Sequence, residues 1–116
     1  MQHPRASIAS DGPMMVFGVG KPHPRSYGTY PRVLGKYVRE QNIISLPEAI
    51  RKMTSLPAKV LSIEKRGLIK EGYFADIVVF NEKTISDNAT FQNPHQYSNG
   101  VEYVLINGVI VIKDGK

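Results

Sequence analysis

Asp11 is the residue of this sequence whose type and position best fit a chemical role. It follows the short apolar stretch Ser7-Ile8-Ala9 and stands in Ser10-Asp11-Gly12, at the end of a predicted strand. A carboxylate at the end of a barrel strand can act as a general acid/base beside a metal-bound water, whose pKa the metal lowers towards about 7. The same tripeptide also forms Asx-type turns that do no chemistry. A catalytic role for Asp11 therefore has to be supported by other motifs in the sequence.

The sequence holds few residues that could bind a metal. It contains three histidines, His3, His23 and His95, and no cysteine. A catalytic zinc takes about three protein ligands in fixed geometry, held by further hydrogen bonds. The three widely separated histidines do not resemble such a set, so we expect no catalytic zinc to bind to this chain alone.

Composition and charge exclude several classes of protein. The formal net charge is +5, but lysines and arginines are spread along the whole chain among ten acidic residues, which argues against a nucleic-acid patch. No apolar run reaches the roughly 18 residues of a membrane span, and no signal peptide is evident. The lack of cysteine fits a cytoplasmic protein. We therefore expect a cytoplasmic protein that binds neither membrane nor nucleic acid.

The first forty residues predict a strand, a loop and a helix. Residues 6–10 are small and apolar enough for a buried parallel strand, which Gly12-Pro13 ends. Residues 14–30 are rich in glycine and proline and predict a long ordered loop. Pro31 can open a helix, because its missing N–H is not needed there, and this helix is predicted to end near Asn42.

Two further helices are predicted between this helix and Gly67. Ser45 is a good N-cap, and Glu48 three positions later completes a capping box. Ser55 predicts a second start, followed by a short helix that ends before Gly67. The loop, helices and predicted strand therefore fill residues 1–66.

From Gly67 onward the pattern predicts strands. The β-branched run Ala75–Phe80 reads as one strand, and residues 81–100 read as a surface loop whose length suggests a functional role or a contact with a further part of the protein. Val101–Ile106 and Val109–Lys113 flank Asn107-Gly108, a strong signal for a type I′ hairpin. The hairpin is apolar on both faces, which favours burial under a neighbour or self-association of the isolated chain.

Several motifs together resemble the N-acyl-D-amino-acid deacylases (D-aminoacylases) of the amidohydrolase superfamily. The likeness extends over nearly the whole chain. The motifs are, in chain order, Ser10-Asp11-Gly12, residues 23–35, 37–40, 46–54, 67–80, 90–97 and 104–109. They match only about the C-terminal quarter of such an enzyme.

The resemblance implies an α/β fold that is incomplete in this chain. Residues 1–66 would form the last βα unit of an amidohydrolase (β/α)8 barrel, and residues 67–116 the C-terminal strands of a small accessory β-sandwich. The full-length enzyme would be zinc-dependent, with its metal ligands in the missing N-terminal barrel region. We therefore expect the 116-residue chain to be an inactive fragment without bound zinc.

The resemblance also implies roles for particular residues. Asp11 would be the catalytic acid/base, and Arg25 would bind the α-carboxylate of the N-acyl-D-amino acid substrate with its planar guanidinium. His23 either lines the substrate pocket or caps the loop, and we favour the cap. His95 resembles a residue of a loop that packs the sandwich against the barrel, which is a structural role.

Two alternatives to a deacylase fragment remain open. The chain could be a non-catalytic structural or interaction module, or one subunit of a split amidohydrolase that assembles with a separately encoded barrel. A cyclic amidohydrolase of the hydantoinase or dihydroorotase kind is disfavoured, because it should lack the motif of residues 23–34.

Overall fold

The computed structural model describes residues 1–115 and contains helices and a small antiparallel sheet. The elements are α1 (Arg25–Arg32), a π-helical segment (Val33–Glu40), α2 (Leu46–Met53), α3 (Ser55–Val60), β1 (Ile77–Phe80), β2 (Val101–Ile106) and β3 (Val109–Lys113). None of the helices in this described part has the length and apolarity needed to cross a membrane.

The first helix begins earlier than the sequence predicts. It starts at Arg25, continues through Pro31 and passes directly into the π-helical segment, so Pro31 lies inside the helix and does not open it. The start is earlier because Gly28 N–H already donates to the carbonyl of Pro24 at 2.9 Å. Pro31 has no N–H to donate to the carbonyl one turn before it, and its ring crowds that carbonyl. The wider π-helical turns begin two residues later, at Val33. Asn42, with a φ of +50°, ends the helix where predicted.

The core lies between this long helix, α2 and the loop of residues 81–100. Its buried members are Val33, Leu34, Ile44, Ala49 and Ile85. Gly35 allows the close approach, because a Cβ there would lie 2.6 Å from the carbonyl oxygen of Ile85. The long helix is thereby fixed against a loop that is distant in sequence.

The predicted starts of α2 and α3, marked by Ser45 and Ser55, are confirmed. The predicted capping box between Ser45 and Glu48 is wrong. The Ser45 side chain makes no capping hydrogen bond, and Glu48 instead contacts Arg51 with an Oε2–Nε distance of 2.6 Å. Pro47 occupies the first turn and offers no N–H for a cap. Helix α3 begins at Ser55 as predicted, but it ends at Val60, several residues before the end predicted near Gly67.

The sheet has the order β1-β2-β3 with both pairs antiparallel. Asn107 and Gly108 have φ values of +52° and +81°, as a type I′ turn requires, which confirms the predicted hairpin. The sheet leaves large apolar side chains exposed, namely Val78, Val79, Ile106, Val109, Ile110 and Val111.

Residues 6–10 do not form the predicted strand. Ile8 N–H donates to the carbonyl of Lys52 at 3.0 Å, and no strand of the described residues pairs with this segment. A parallel strand requires a neighbour along its edge, so the segment forms no regular structure. It is held by α2, where the fully buried Lys52 donates to the carbonyls of His3 and Ala6.

Candidate functional site

Asp11 lies at the start of α1 and is open to solvent. Its backbone has a φ of +48°, and Gly12 N–H donates to Ser10 Oγ at 3.3 Å, which closes a tight turn. Gly12 packs directly on the helix start, since a Cβ there would lie 2.9 Å from Ser26 Cα. The Asp11 side chain is 86% exposed. A small residue and a left-handed backbone therefore place this carboxylate beside the first turn of the helix.

Arg25, the first residue of α1, forms an ion pair with Asp11. Its Nη2 lies 3.1 Å from Asp11 Oδ2, and its own side chain is 43% exposed. Ion pairs this open to water contribute only about 0–1 kcal/mol to stability. The structure thus brings together the predicted acid/base and the predicted carboxylate-binding arginine, in a pairing weak enough to exchange for another carboxylate.

His23 lies immediately before the helix and contacts its first turn. Its Nδ1 accepts a hydrogen bond from Arg25 N–H at 3.0 Å, and its ring packs edge-on against Phe91 with the centroids 4.9 Å apart. This bond satisfies one of the N–H groups that a helix start leaves without an intrahelical partner. His23 therefore fixes the backbone of Arg25, and its role in substrate binding stays a prediction.

A cavity of about 420 Å³ opens next to these residues. Its walls include His23, Arg25, Arg32, Asp87 and Phe91. Arg32 Nη1 lies 2.7 Å from Asp87 Oδ2, and this hydrogen bond raises the pKa of Arg32 above its ordinary value. Arg32 is therefore matched by a carboxylate that is mostly buried, whereas Arg25 has only the exposed Asp11.

The loop of residues 81–100 supplies one wall of this site, and none of the sequence motifs indicates this role. Asp87 and Phe91 line the cavity, while Ile85 and Ala89 anchor the loop in the interior. The available signal was the length of the loop, which suggested function or contact without saying which residues take part.

The described residues, 1–115, do not form a zinc site by themselves. Within residues 1–115, no three or more histidine, aspartate or glutamate side chains are grouped so that they could hold a metal ion. The nearest charged partner of Asp11 is the cation Arg25, not a second ligand. A catalytic zinc needs about three protein ligands, so Asp11 alone does not fit one.

Comparison with known proteins shows the family to which the chain belongs. The amidohydrolase family model matches residues 4–112. The chain belongs to the amidohydrolase family.

Individual relatives narrow the likeness to deacylases. The chain is 44% identical over 110 residues to N-acyl-D-glutamate deacylase of Alcaligenes xylosoxydans xylosoxydans, covering 95% of this chain and 22% of that protein. The chain also superposes on a crystal structure of N-acyl-D-glutamate deacylase from Bordetella bronchiseptica, with a TM-score of 0.87 and 41% identity. The match covers 99% of this chain and 24% of that one, and that structure contains zinc and a phosphonate that mimics the tetrahedral intermediate. A D-aminoacylase with a binuclear metal centre superposes with a TM-score of 0.81 at 43% identity, covering 83% and 20%.

These matches confirm the resemblance to N-acyl-D-amino-acid deacylases. They also define its extent, because the chain spans about a fifth of the length of the curated relative it matches. A dihydroorotase of Endomicrobium trichonymphae matches at 46% identity, but over only 38% of the chain. A dihydroorotase of Lactobacillus gasseri matches over 69% of the chain, but at 30% identity. The likeness to dihydroorotases is therefore weaker than the likeness to deacylases, which reaches 44% identity over 95% of the chain.

Proposed function

We propose that this chain is the C-terminal part of a zinc-dependent N-acyl-D-amino-acid deacylase. The reaction would hydrolyse the amide of an N-acyl-D-amino acid to a carboxylate and a free D-amino acid. The observation that carries this proposal is the contact between Asp11 and Arg25, two side chains with complementary tasks in such a reaction. The identity to deacylases over 95% of the chain supports it.

Arg25 binds the α-carboxylate of the substrate in this proposal. Its guanidinium offers a planar pair of N–H donors that match a carboxylate, and His23 holds the backbone from which the side chain extends. Because the ion pair with Asp11 is exposed, a substrate carboxylate can take the place of the Asp11 carboxylate at little cost. Binding of substrate would then release Asp11 for chemistry.

Asp11 is the general acid/base in the same proposal. In an N-acyl amino acid the carboxylate and the amide nitrogen are attached to the same α-carbon, so a carboxylate held by Arg25 brings the scissile amide close to Asp11. Asp11 would accept a proton from the attacking water as the C–O bond forms. It would return that proton to the nitrogen as the C–N bond breaks, which leaves a free amine and a carboxylic acid that ionises to the carboxylate by losing its own proton to water.

The metal and most of the pocket would belong to the remaining barrel. The Bordetella relative holds zinc, and we propose that its counterpart here is bound by residues outside this chain. Residues 1–66 would complete the barrel, and residues 67–116 would belong to an accessory β-sandwich. The exposed apolar side chains of the sheet support this, because a complete domain would cover them. The isolated chain would then be inactive.

A segment replacement tests the proposal. The matched segment of the Alcaligenes N-acyl-D-glutamate deacylase is exchanged for residues 4–112 of this chain. Release of D-glutamate from N-acetyl-D-glutamate is measured for this chimeric deacylase, for the parent enzyme and for the isolated chain, each against a metal-stripped control. We expect activity in the chimera and none in the isolated chain.

Folding and zinc content of the chimera separate the outcomes. A chimera that folds and binds zinc as the parent does, yet releases no D-amino acid, contradicts the catalytic proposal and favours a non-catalytic module. Activity of the isolated chain above its metal-stripped control contradicts the fragment interpretation.

A further inference from the structure

His95, in the loop of residues 81–100, makes three hydrogen bonds to residues far from it along the chain. Its Nδ1 accepts from Gly18 N–H at 3.1 Å and from the Tyr27 hydroxyl at 2.9 Å, and its Nε2 lies 3.0 Å from the carbonyl oxygen of Gly20. A backbone N–H can only donate, so Nδ1 carries no proton and Nε2–H donates to Gly20. One tautomer accommodates all three contacts, with the single lone pair of Nδ1 shared between the Gly18 N–H and the Tyr27 hydroxyl.

An aromatic cluster surrounds this histidine. Phe17 stacks on Tyr97 with the ring centroids 4.8 Å apart, and it meets His95 edge-on at 5.5 Å. Tyr27 also packs edge-on against His95, at 5.6 Å. Members of the cluster come from residues 13–22, from α1 and from the loop of residues 81–100, so His95 and its neighbours connect three segments.

The segment that His95 holds is the one that joins Asp11 to Arg25. Gly18 and Gly20 have φ values of +80° and +70°, and nearly all of residues 13–21 are exposed. Among residues 1–115, the hydrogen bonds that tie residues 13–22 to another part of the chain both go to His95. Tyr27, which makes the third bond, lies on the helix that carries Arg25.

We propose that His95 is a positioning residue that sets the placement of Asp11 relative to Arg25. It does so by fixing residues 13–22 to the first turns of α1, without contacting the substrate. The importance of that placement rests on the proposed deacylase function. The fixation itself is a property of this chain and can be measured without any activity.

The first experiment measures the fixation in the isolated chain. Amide hydrogen exchange of Gly18, which donates to His95, is compared with that of Gly72, a turn glycine with a similar φ of +78° and no hydrogen bond from its N–H among the described residues. Gly18 should exchange at least about tenfold more slowly, and His95→Ala should remove the difference. Equal exchange in the unsubstituted chain, or unchanged protection of Gly18 in the variant, overturns the proposal.

The second experiment measures the consequence in the chimeric deacylase. Small misplacements of reacting groups cost about 10²-fold in rate, so His95→Ala should lower kcat/KM by that order. His95→Asn keeps an oxygen that can accept from Gly18 N–H and Tyr27 and should restore most of the activity. Lys83→Ala, at an exposed residue of the same loop whose side chain makes no hydrogen bond among residues 1–115, is the control and should change nothing.

The outcomes separate the two proposals. A loss smaller than about threefold for His95→Ala in an active chimera overturns the positioning role, as does the absence of rescue by His95→Asn. Tyr27→Phe removes one bond and keeps the ring, so it serves if His95→Ala fails to fold. A chimera that folds but is inactive contradicts the deacylase proposal. In that case hydrogen exchange of the Gly18 amide alone decides whether His95 fixes residues 13–22.

Discussion

Arg25 Nη2 lies 3.1 Å from Asp11 Oδ2, although a segment rich in glycine and proline separates the two residues along the chain. Both side chains are open to solvent, so the pairing adds little to stability. Three local features create it, namely the left-handed backbone of Asp11, the close packing of Gly12 on Ser26 and the cap that His23 provides for α1. These features hold Asp11 and Arg25 in contact without burying either side chain, as the proposed carboxylate-binding role of Arg25 requires.

Arg25→Lys should weaken substrate binding in the chimeric deacylase. Lysine keeps the charge but loses the planar pair of donors, so KM should rise by about 10–100-fold, the equivalent of one charge-assisted hydrogen bond. Arg32→Lys is the matched control, because Arg32 is on the same helix and is already paired with Asp87. Steady-state kinetics would contradict the assignment if both variants raised KM equally.

Lys52→Met should destabilise the chain. The Lys52 side chain is fully buried, and its Nζ donates to two carbonyls of the segment that leads to Asp11. Methionine fills a similar volume but leaves both carbonyls without this charged donor, at a cost of about 1.5–3 kcal/mol. Urea unfolding measures the loss. Lys59→Met, on the exposed side of α3, should change stability little, and an equal loss in both variants would refute the explanation.

Stability should fall in acid through Glu48. The hydrogen bond from Arg51 is the main cause that lowers the pKa of Glu48 from 4.5 to about 2. Because the folded-state pKa lies below the unfolded value, the stabilisation is present above about pH 4.5 and is lost as the pH falls towards about 2. The difference in free energy of unfolding between the unsubstituted chain and Glu48→Gln should therefore shrink over this window. A difference that stays constant with pH would exclude this cause.

Gly108→Ala should destabilise the hairpin through its backbone. Gly108 has a φ of +81°, and a Cβ there would meet only Ala75 Cβ, at 4.0 Å, so space is not the obstacle. A left-handed backbone costs an alanine about 1–2 kcal/mol. Gly108→Asn should cost less, because asparagine tolerates this region. Equal losses for alanine and asparagine in thermal unfolding would argue against conformational strain as the cause.

Local features of this fold were predictable from sequence, and those that depend on distant partners were not. Asn107-Gly108 defines its turn by itself, and Ser45 and Ser55 mark helix starts within a few residues. The strand predicted over residues 6–10 needs a neighbour that no described strand provides. The sequence favours a helix start at Pro31 because residues 14–30 are rich in glycine and proline, a composition typical of a loop, although α1 already begins at Arg25.

In the candidate site, too, residues within recognisable motifs were predictable from sequence, and contacts between distant residues were not. Asp11 and Arg25 were singled out from their motifs, and their contact depends on chain geometry that spacing alone does not give. The sequence does not single out Asp87 and Phe91, because they lie in an irregular loop, where no periodicity indicates which side chains face the cavity. His95 was identified as structural, and only its hydrogen bonds to Gly18 and Gly20 connect it with the segment between the two candidate residues.

The most direct test of the central claim is the turnover number of the chimeric deacylase carrying Asp11→Asn. Asparagine keeps the size of the side chain but cannot accept and return a proton, so kcat should fall by about 10²–10⁴-fold while zinc content stays unchanged. Asp87→Asn, at the other aspartate of the site, should leave kcat nearly unchanged. A fully active Asp11→Asn chimera would contradict the assignment of Asp11 as the catalytic acid/base.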